Sequence, residues 1–191
     1  MSLHLLLGPM YAGKSSEALR LANLHRARGR RVLFVNHAKD TRSGRNRAMT
    51  HDGAVEEARS VETLQEVGDE ELDGFDAVVV EEAQWFADLV PWTLRAFEEL
   101  NKHVIVVSLD GDYLRRPFGH ALELVCRATA VEKKLALCEY CAEDTPAPFT
   151  RRIVPDDRRD VVGARELYRA VCWKHHRAES IDVSPSVVAH A

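Results

Sequence analysis

Gly8-Pro9-Met10-Tyr11-Ala12-Gly13-Lys14-Ser15 satisfies the pattern G-x(4)-G-K-[ST] in full. Glycines at both ends let the backbone curl so that successive N–H groups face a phosphate, with the positive end of a helix dipole behind them. Lys14 adds a charge for the outer phosphates, and the Ser15 hydroxyl is a ligand for Mg²⁺. Together they predict a site for a nucleoside triphosphate. A second constellation is Glu81-Glu82, which follows four apolar residues, Ala77 to Val80. Two adjacent acids are usually solvated charge. At the carboxyl edge of a buried strand, where open α/β sheets bind ligands, one can serve the Mg²⁺ shell while its neighbour points at an acceptor.

The third constellation is a pair of half-sites, Cys138-x-x-Cys141 and Cys172-x-x-His175. Two such knuckles supply four ligands for a tetrahedral, closed zinc site, which holds structure together and has no open position for catalysis. His176 competes with His175 for the fourth position, and spacing favours His175. Cys126 has no paired neighbour and is expected in the core.

The elements that must carry these groups alternate in kind. Leu3–Leu7 reads as a buried strand, Lys14 to Arg28 as a helix ended by Gly29, and Arg31–Asn36 as a second strand. Residues 39–60 are polar and irregular. Asp76–Glu81 is a third strand, apolar on both faces, followed by a helix near Pro91–Lys102 and a fourth strand at Val104–Ser108. Strand and helix in alternation imply an α/β, doubly wound, mainly parallel sheet. After about residue 130 the pattern changes to short strand-like runs and cysteine pairs. The expected division is therefore 1–130 for the nucleotide-binding domain and 131–178 for a small metal-binding module, with 179–191 a loose tail.

Composition narrows the class. The chain has 191 residues, 46% hydrophobic and 29% charged, enough for one domain with a core and a small appendage. No window approaches the roughly 18 apolar residues of a membrane span. The apolar start has no basic leader, so a cytoplasmic location is expected. Net charge is −4, from 26 basic and 30 acidic residues. The arginines at 26–31 and 42–47 read as solvated charge, so neither nucleic acid nor membrane is an expected partner.

In this order the motifs closely resemble the thymidine kinases of the cellular, bacterial and poxviral type, from Leu6 to about His176. The phosphate loop shares that family's Pro-Met after its first glycine. Ala38-Lys39-Asp40-Thr41-Arg42 with Thr50-His51-Asp52-Gly53, and Glu81-Glu82-Ala83-Gln84-Trp85-Phe86, are similar to its segments. So are the run Leu109–Gly119, Thr150-Arg151-Arg152, and Val162-Gly163-Ala164 with Tyr168. The resemblance implies transfer of the ATP γ-phosphoryl group, with Mg²⁺, to the 5′-hydroxyl of thymidine, giving dTMP for deoxynucleotide salvage. Glu82 would be the base. Asp40, Thr41, Arg42, Glu81 and Gln84 would join the phosphate loop in binding ATP and Mg²⁺. Met10, Trp85, Leu109, Tyr113 and Phe118 would surround the thymine. Thr150 and Tyr168 would supply side-chain contacts, and a lasso of Arg159, Asp160, Val161, Val162 and Gly163 would hold the base through its backbone. It also implies a structural zinc in a ribbon-like module and a homotetramer.

Three positions depart from the family pattern. Glu81 stands where Asp is usual, Ala164 where many relatives have a second glycine, and Trp85 where Phe is common, which shrinks the pocket slightly. Rival readings are a deoxyuridine preference on the same scaffold and a nucleic-acid-dependent ATPase with a zinc ribbon. The second calls for a basic, aromatic-bearing face. The acids Glu132, Glu139, Glu143, Asp144, Asp156 and Asp157 of the metal module disfavour it.

Overall fold

The computed structural model describes residues 1–40, 47–49, 55–155, 158 and 161–178. Strand β1 (Ser2–Leu7) leads through the glycine loop into α1 (Lys14–Arg26), and β2 (Val32–His37) follows. Short strands β3 (Arg47–Met49) and β4 (Val55–Glu57) pair with each other in antiparallel fashion, and β5 (Arg59–Val61) joins the main sheet. Then come α2 (Asp69–Asp73), β6 (Ala77–Val80), α3 (Leu89–Leu94), β7 (His103–Ser108) and β8 (Ala130–Lys133). The main sheet has six strands in the order β5-β2-β6-β7-β1-β8, every neighbouring pair parallel.

Alternate residues of each strand feed two cores, as period-two geometry requires. Leu6, Phe34, Val79, Ile105 and Val107 pack with Ala18 and Ala22 of α1 on one face. Leu3, Leu5, Val35, Val78, Val80, Val104 and Val106 pack on the other face with Leu89, Trp92, Phe86 and Leu124. Covered on both sides, β6 is wholly buried, which is why its residues are uniformly apolar. The doubly wound parallel sheet is therefore present.

Several local expectations change. The helix expected over 91–102 is α-helical only to Leu94 and widens into a π turn at Arg95–Glu99, where the Leu100 N–H donates to the Arg95 carbonyl at 3.0 Å. The polar stretch 39–60 ends in the edge strand β5. The opposite edge strand, β8, straddles residues 130–131, so the change of architecture comes just after Lys133. Cys126 is exposed, not in the core, on a 3₁₀ turn at Ala121–Arg127 whose buried side belongs to Ala121 and Leu124.

The C-terminal part is two antiparallel ribbons, β9 (Ala136–Leu137) with β10 (Pro146–Ala147) and β11 (Phe149–Arg152) with β12 (Tyr168–Val171), followed by α4 (Trp173–Arg177). Its own small core includes Ala136, Cys138, Ala147, Ala170, Val171 and Cys172. Ala12 of the glycine loop is buried in that same core. The metal module and the phosphate loop are thus packed directly on each other. Among the described residues no helix is long and apolar enough to cross a membrane.

Candidate active site and metal centre

The carboxyl ends of β1, β6 and β7 converge on one cleft of about 720 Å³, its solvent-open mouth included. Its floor is the glycine loop. Gly8 has φ 141°, and a Cβ there would collide with the Lys134 carbonyl, so only glycine lets the loop pass beside β8. Gly13 is left-handed (φ 70°) and opens α1, with the Glu17 N–H donating to the Gly13 carbonyl at 3.1 Å. Tyr11, also left-handed at φ 64°, packs against the metal module. Burial, and next the charge of Glu139, push its phenol up to about 12, so it stays protonated.

Two oxygen donors meet at the loop's end. The Ser15 hydroxyl donates to Glu81 Oε2 at 3.2 Å, and Glu81 is buried. A hydroxyl and a carboxylate are the hard donors Mg²⁺ takes, and water-mediated binding suits its reluctance to dehydrate. The residues present fit that ion. Lys14 Nζ donates to the Pro9 carbonyl at 2.6 Å, which keeps the ammonium over its own loop.

Glu82 is in the left-handed region, φ 51° and ψ 39°, at the turn from β6 into the 3₁₀ segment Ala83–Trp85. For a residue with a Cβ this is strained, and such strain concentrates at functional sites. Glu82 lines the cleft beside Glu81. Gln84 Nε2 donates to Glu82 Oε2 at 2.5 Å, while Gln84 Oε1 accepts from the Leu109 N–H at 3.1 Å and from Ser108 Oγ at 3.4 Å. Gln84, expected among the ATP and Mg²⁺ contacts, thus bridges the acid to the end of β7. Gly119 (φ 68°) lies so close to the Gln84 backbone that any Cβ would overlap it.

The far wall is built from Met10, Trp85, Leu109 and Phe118, with Val161, Val162, Gly163 and Tyr168 closing the cleft from the metal module. Val107 and Ser108 also line it. No motif points to these two, although their place at the carboxyl end of a parallel strand does. The Tyr168 hydroxyl donates to the Val161 carbonyl at 2.7 Å, which fixes the strand-to-loop corner. The Thr150 hydroxyl accepts the Met10 N–H at 3.0 Å, so this side chain holds the phosphate loop and does not line the cleft. Tyr113 is also outside the lining. Its ring lies under the Arg152 guanidinium, 3.9 Å from the ring centre. Asp40 is buried at the end of β2, accepting from Asn36 Nδ2 at 3.1 Å, and is not among the lining residues described. Thr41, Arg42, the 50–53 segment, Arg159 and Asp160 lie outside the described residues.

The two cysteine half-sites come together. The sulfurs of Cys138, Cys141 and Cys172 stand 3.4, 3.5 and 3.4 Å from His175 Nδ1, and the sulfurs of Cys141 and Cys172 are 3.8 Å apart. A tetrahedron with Zn–S of about 2.3 Å and Zn–N of about 2.0–2.1 Å has edges of about 3.5 and 3.8 Å. The donor set and its spacing therefore fit zinc, and all four ligands come from protein. The choice between the histidines is geometric: His176 Nε2 reaches the Tyr113 carbonyl at 3.0 Å, on another side of α4. Arg151 reinforces the knuckle by donating to the His175 carbonyl.

The chain is similar to known proteins along most of its length. The family model described as thymidine kinase matches residues 1–176. The chain belongs to the thymidine kinase family. It is 34% identical to thymidine kinase a of Arabidopsis thaliana, over 97% of this chain and 79% of that one. It is 35% identical to the thymidine kinase of Yaba monkey tumor virus, covering 89% and 91%, and 35% identical to the cytosolic thymidine kinase of Homo sapiens, covering 89% and 70%.

Proposed function

We propose that this kinase transfers the γ-phosphoryl group of ATP to the 5′-hydroxyl of thymidine, giving dTMP and ADP in deoxynucleotide salvage. The observation that carries the reading is Glu82. It is a strained carboxylate beside Glu81, lining a cleft whose one end is a phosphate loop and whose other end is a wall of backbone and aromatic groups. Phosphoryl transfer needs positioning and charge neutralisation more than covalent catalysis. The loop amides and Lys14 hold the triphosphate and take up charge as it moves to the leaving ADP oxygen. Ser15 and Glu81 would hold Mg²⁺, which would supply further charge neutralisation.

Glu82 takes the O5′ proton as the O5′–P bond forms and the bond from the γ-phosphorus to the β,γ-bridging oxygen breaks. An alcohol is too weak an acid to ionise unaided at neutral pH, so the carboxylate must act within hydrogen-bond reach of it. Gln84 aims that carboxylate. The thymine lies against Trp85, Phe118 and Leu109, with the 161–163 backbone at its edge. Cys138, Cys141, Cys172 and His175 would hold a zinc ion that ties together the knuckle from which that backbone projects. A cytoplasmic location is supported by the description of the human relative as cytosolic, and a homotetramer is the expected assembly, measurable by light scattering.

The test is ADP release with thymidine, deoxyuridine, deoxycytidine and the purine deoxynucleosides, with zinc content measured on the same protein. Thymidine should give the highest kcat/KM. A purine or deoxycytidine preference, or hydrolysis stimulated only by DNA, would overturn the proposal.

A further inference from the structure

Arg152 is the cross-strand partner of Tyr168 at the last pair of the β11–β12 ribbon, where the chain leaves for the loop that returns through Val161–Gly163. Its guanidinium contacts three separate parts of the chain: the Tyr168 hydroxyl, the Arg158 carbonyl and the Tyr113 ring. One nitrogen donates to the Tyr168 hydroxyl at 2.9 Å, and that hydroxyl in turn donates to the Val161 carbonyl. Another donates to the Arg158 carbonyl at 2.5 Å, on the outgoing arm of the same loop. The plane of the group lies on the Tyr113 ring at 3.9 Å, in the segment whose ends, Leu109 and Phe118, form the facing wall of the cleft.

Tyr113 is itself anchored. Its carbonyl accepts from His176, the residue after the metal ligand His175. Asp112 accepts from the Leu114 and Arg116 N–H groups, both at 2.9 Å, and from the Arg116 side chain at 3.0 Å, which locks the turn. The arginine is therefore a bolt between two braced walls. A planar group with donors pointing in several directions is what this position requires, because it must stack and make two divergent hydrogen bonds at once.

We infer that Arg152 is a positioning residue for the nucleoside: it sets the spacing between the Val161–Gly163 backbone and the Leu109–Phe118 wall, and so selects for a flat pyrimidine base. It does not touch the phosphates. This deepens the proposed function and rests on it for the identity of the base. The mechanical part, that Arg152 holds the two walls together, is independent of any substrate.

The experiment compares Arg152→Met, Arg152→Lys, Tyr113→Leu and the Arg152→Met/Tyr113→Leu double variant with the parent protein. Zinc content and melting temperature are recorded for each. The kinetic readout is KM for thymidine and for ATP, and kcat. Arg152→Met should raise KM for thymidine at least tenfold, with KM for ATP within about twofold. Arg152→Lys should restore only part of the loss, since an ammonium cannot stack and fork together. Tyr113→Leu removes the ring under the guanidinium and should reproduce part of the Arg152→Met defect, adding little to it in the double variant.

Amide exchange in the substrate-free protein is the second readout. Arg152→Met should speed exchange at Ile153, Leu167 and Tyr168 while leaving β6 and β7 protected. Unchanged exchange at those three amides in a zinc-replete protein would overturn the inference even if thymidine proved not to be the substrate. Equal rises in both KM values would overturn it as well. If exchange rises as expected but no nucleoside is phosphorylated, the functional reading fails and the bolt stands.

Discussion

Replacing Glu82 by Gln removes a base while disturbing almost nothing else. The left-handed backbone at φ 51° is as accessible to Gln as to Glu, and the introduced amide oxygen can still accept from Gln84 Nε2, now 2.5 Å from the carboxylate. Gln84 would keep its bonds to Leu109 and Ser108, so the turn and the cleft wall should stay in place. What disappears is the carboxylate proposed to take the O5′ proton. A general base contributes about 10²–10⁴-fold, or roughly 3–5 kcal/mol of transition-state stabilisation.

We expect kcat to fall by about that factor, with thymidine and ATP affinities within about threefold by calorimetry. Glu82→Asp is the informative companion. It keeps the charge but draws the carboxylate back by about one carbon–carbon bond, ~1.5 Å. It also breaks the contact with Gln84, and a misplacement of ~1 Å can cost ~10²-fold. Single-turnover phosphoryl transfer followed by rapid quench separates chemistry from product release. A Glu82→Gln enzyme within about tenfold of the parent rate would refute the assignment of the base.

Gly8→Ala should abolish ATP binding and lower the melting temperature, because the new Cβ would meet the Lys134 carbonyl at a φ of 141°. Equilibrium binding of a fluorescent ATP analogue reads this directly, and retained affinity would contradict it. Stripping zinc with a chelator should weaken thymidine binding before ATP binding, since the knuckle holds the 161–168 wall, and atomic absorption should give one zinc per chain. Thymidine affinity that survives full removal would count against the pinning role.

Acid should destabilise the opposite end of the sheet. Burial first, then the Met1 amino group, His25, Arg30 and His4, push the His103 imidazole down to about 4. The unfolded chain therefore binds more protons than the folded one between about pH 6.5 and 4, and stability falls as pH drops through that window. A melting-temperature series from pH 7.5 to 4.5 should show this slope, and His103→Gln should flatten it.

What could be read from the sequence was local. The glycine loop, the acids after a buried strand and the two half-sites each depend on spacing within a few residues, where covalent geometry limits the outcomes to a few. The buried strands were legible for the same reason, since β6 is apolar at every position. Long-range packing decided the rest. Thr150 meets the Met10 amide across 140 residues, and nothing near either position announces it. His175 joins the three cysteine sulfurs because α4 turns its ring toward them and sends His176 to Tyr113. Tyr113 and Arg152 find each other only once the β11–β12 ribbon is packed on the Leu109–Gly119 segment, and Gln84 reaches the Leu109 amide at the end of β7 across 25 residues. A side chain's type and spacing state what it is able to bond. Which partner it meets is set by the relative placement of elements distant in the chain, and that placement is the outcome of burying both faces of one sheet together.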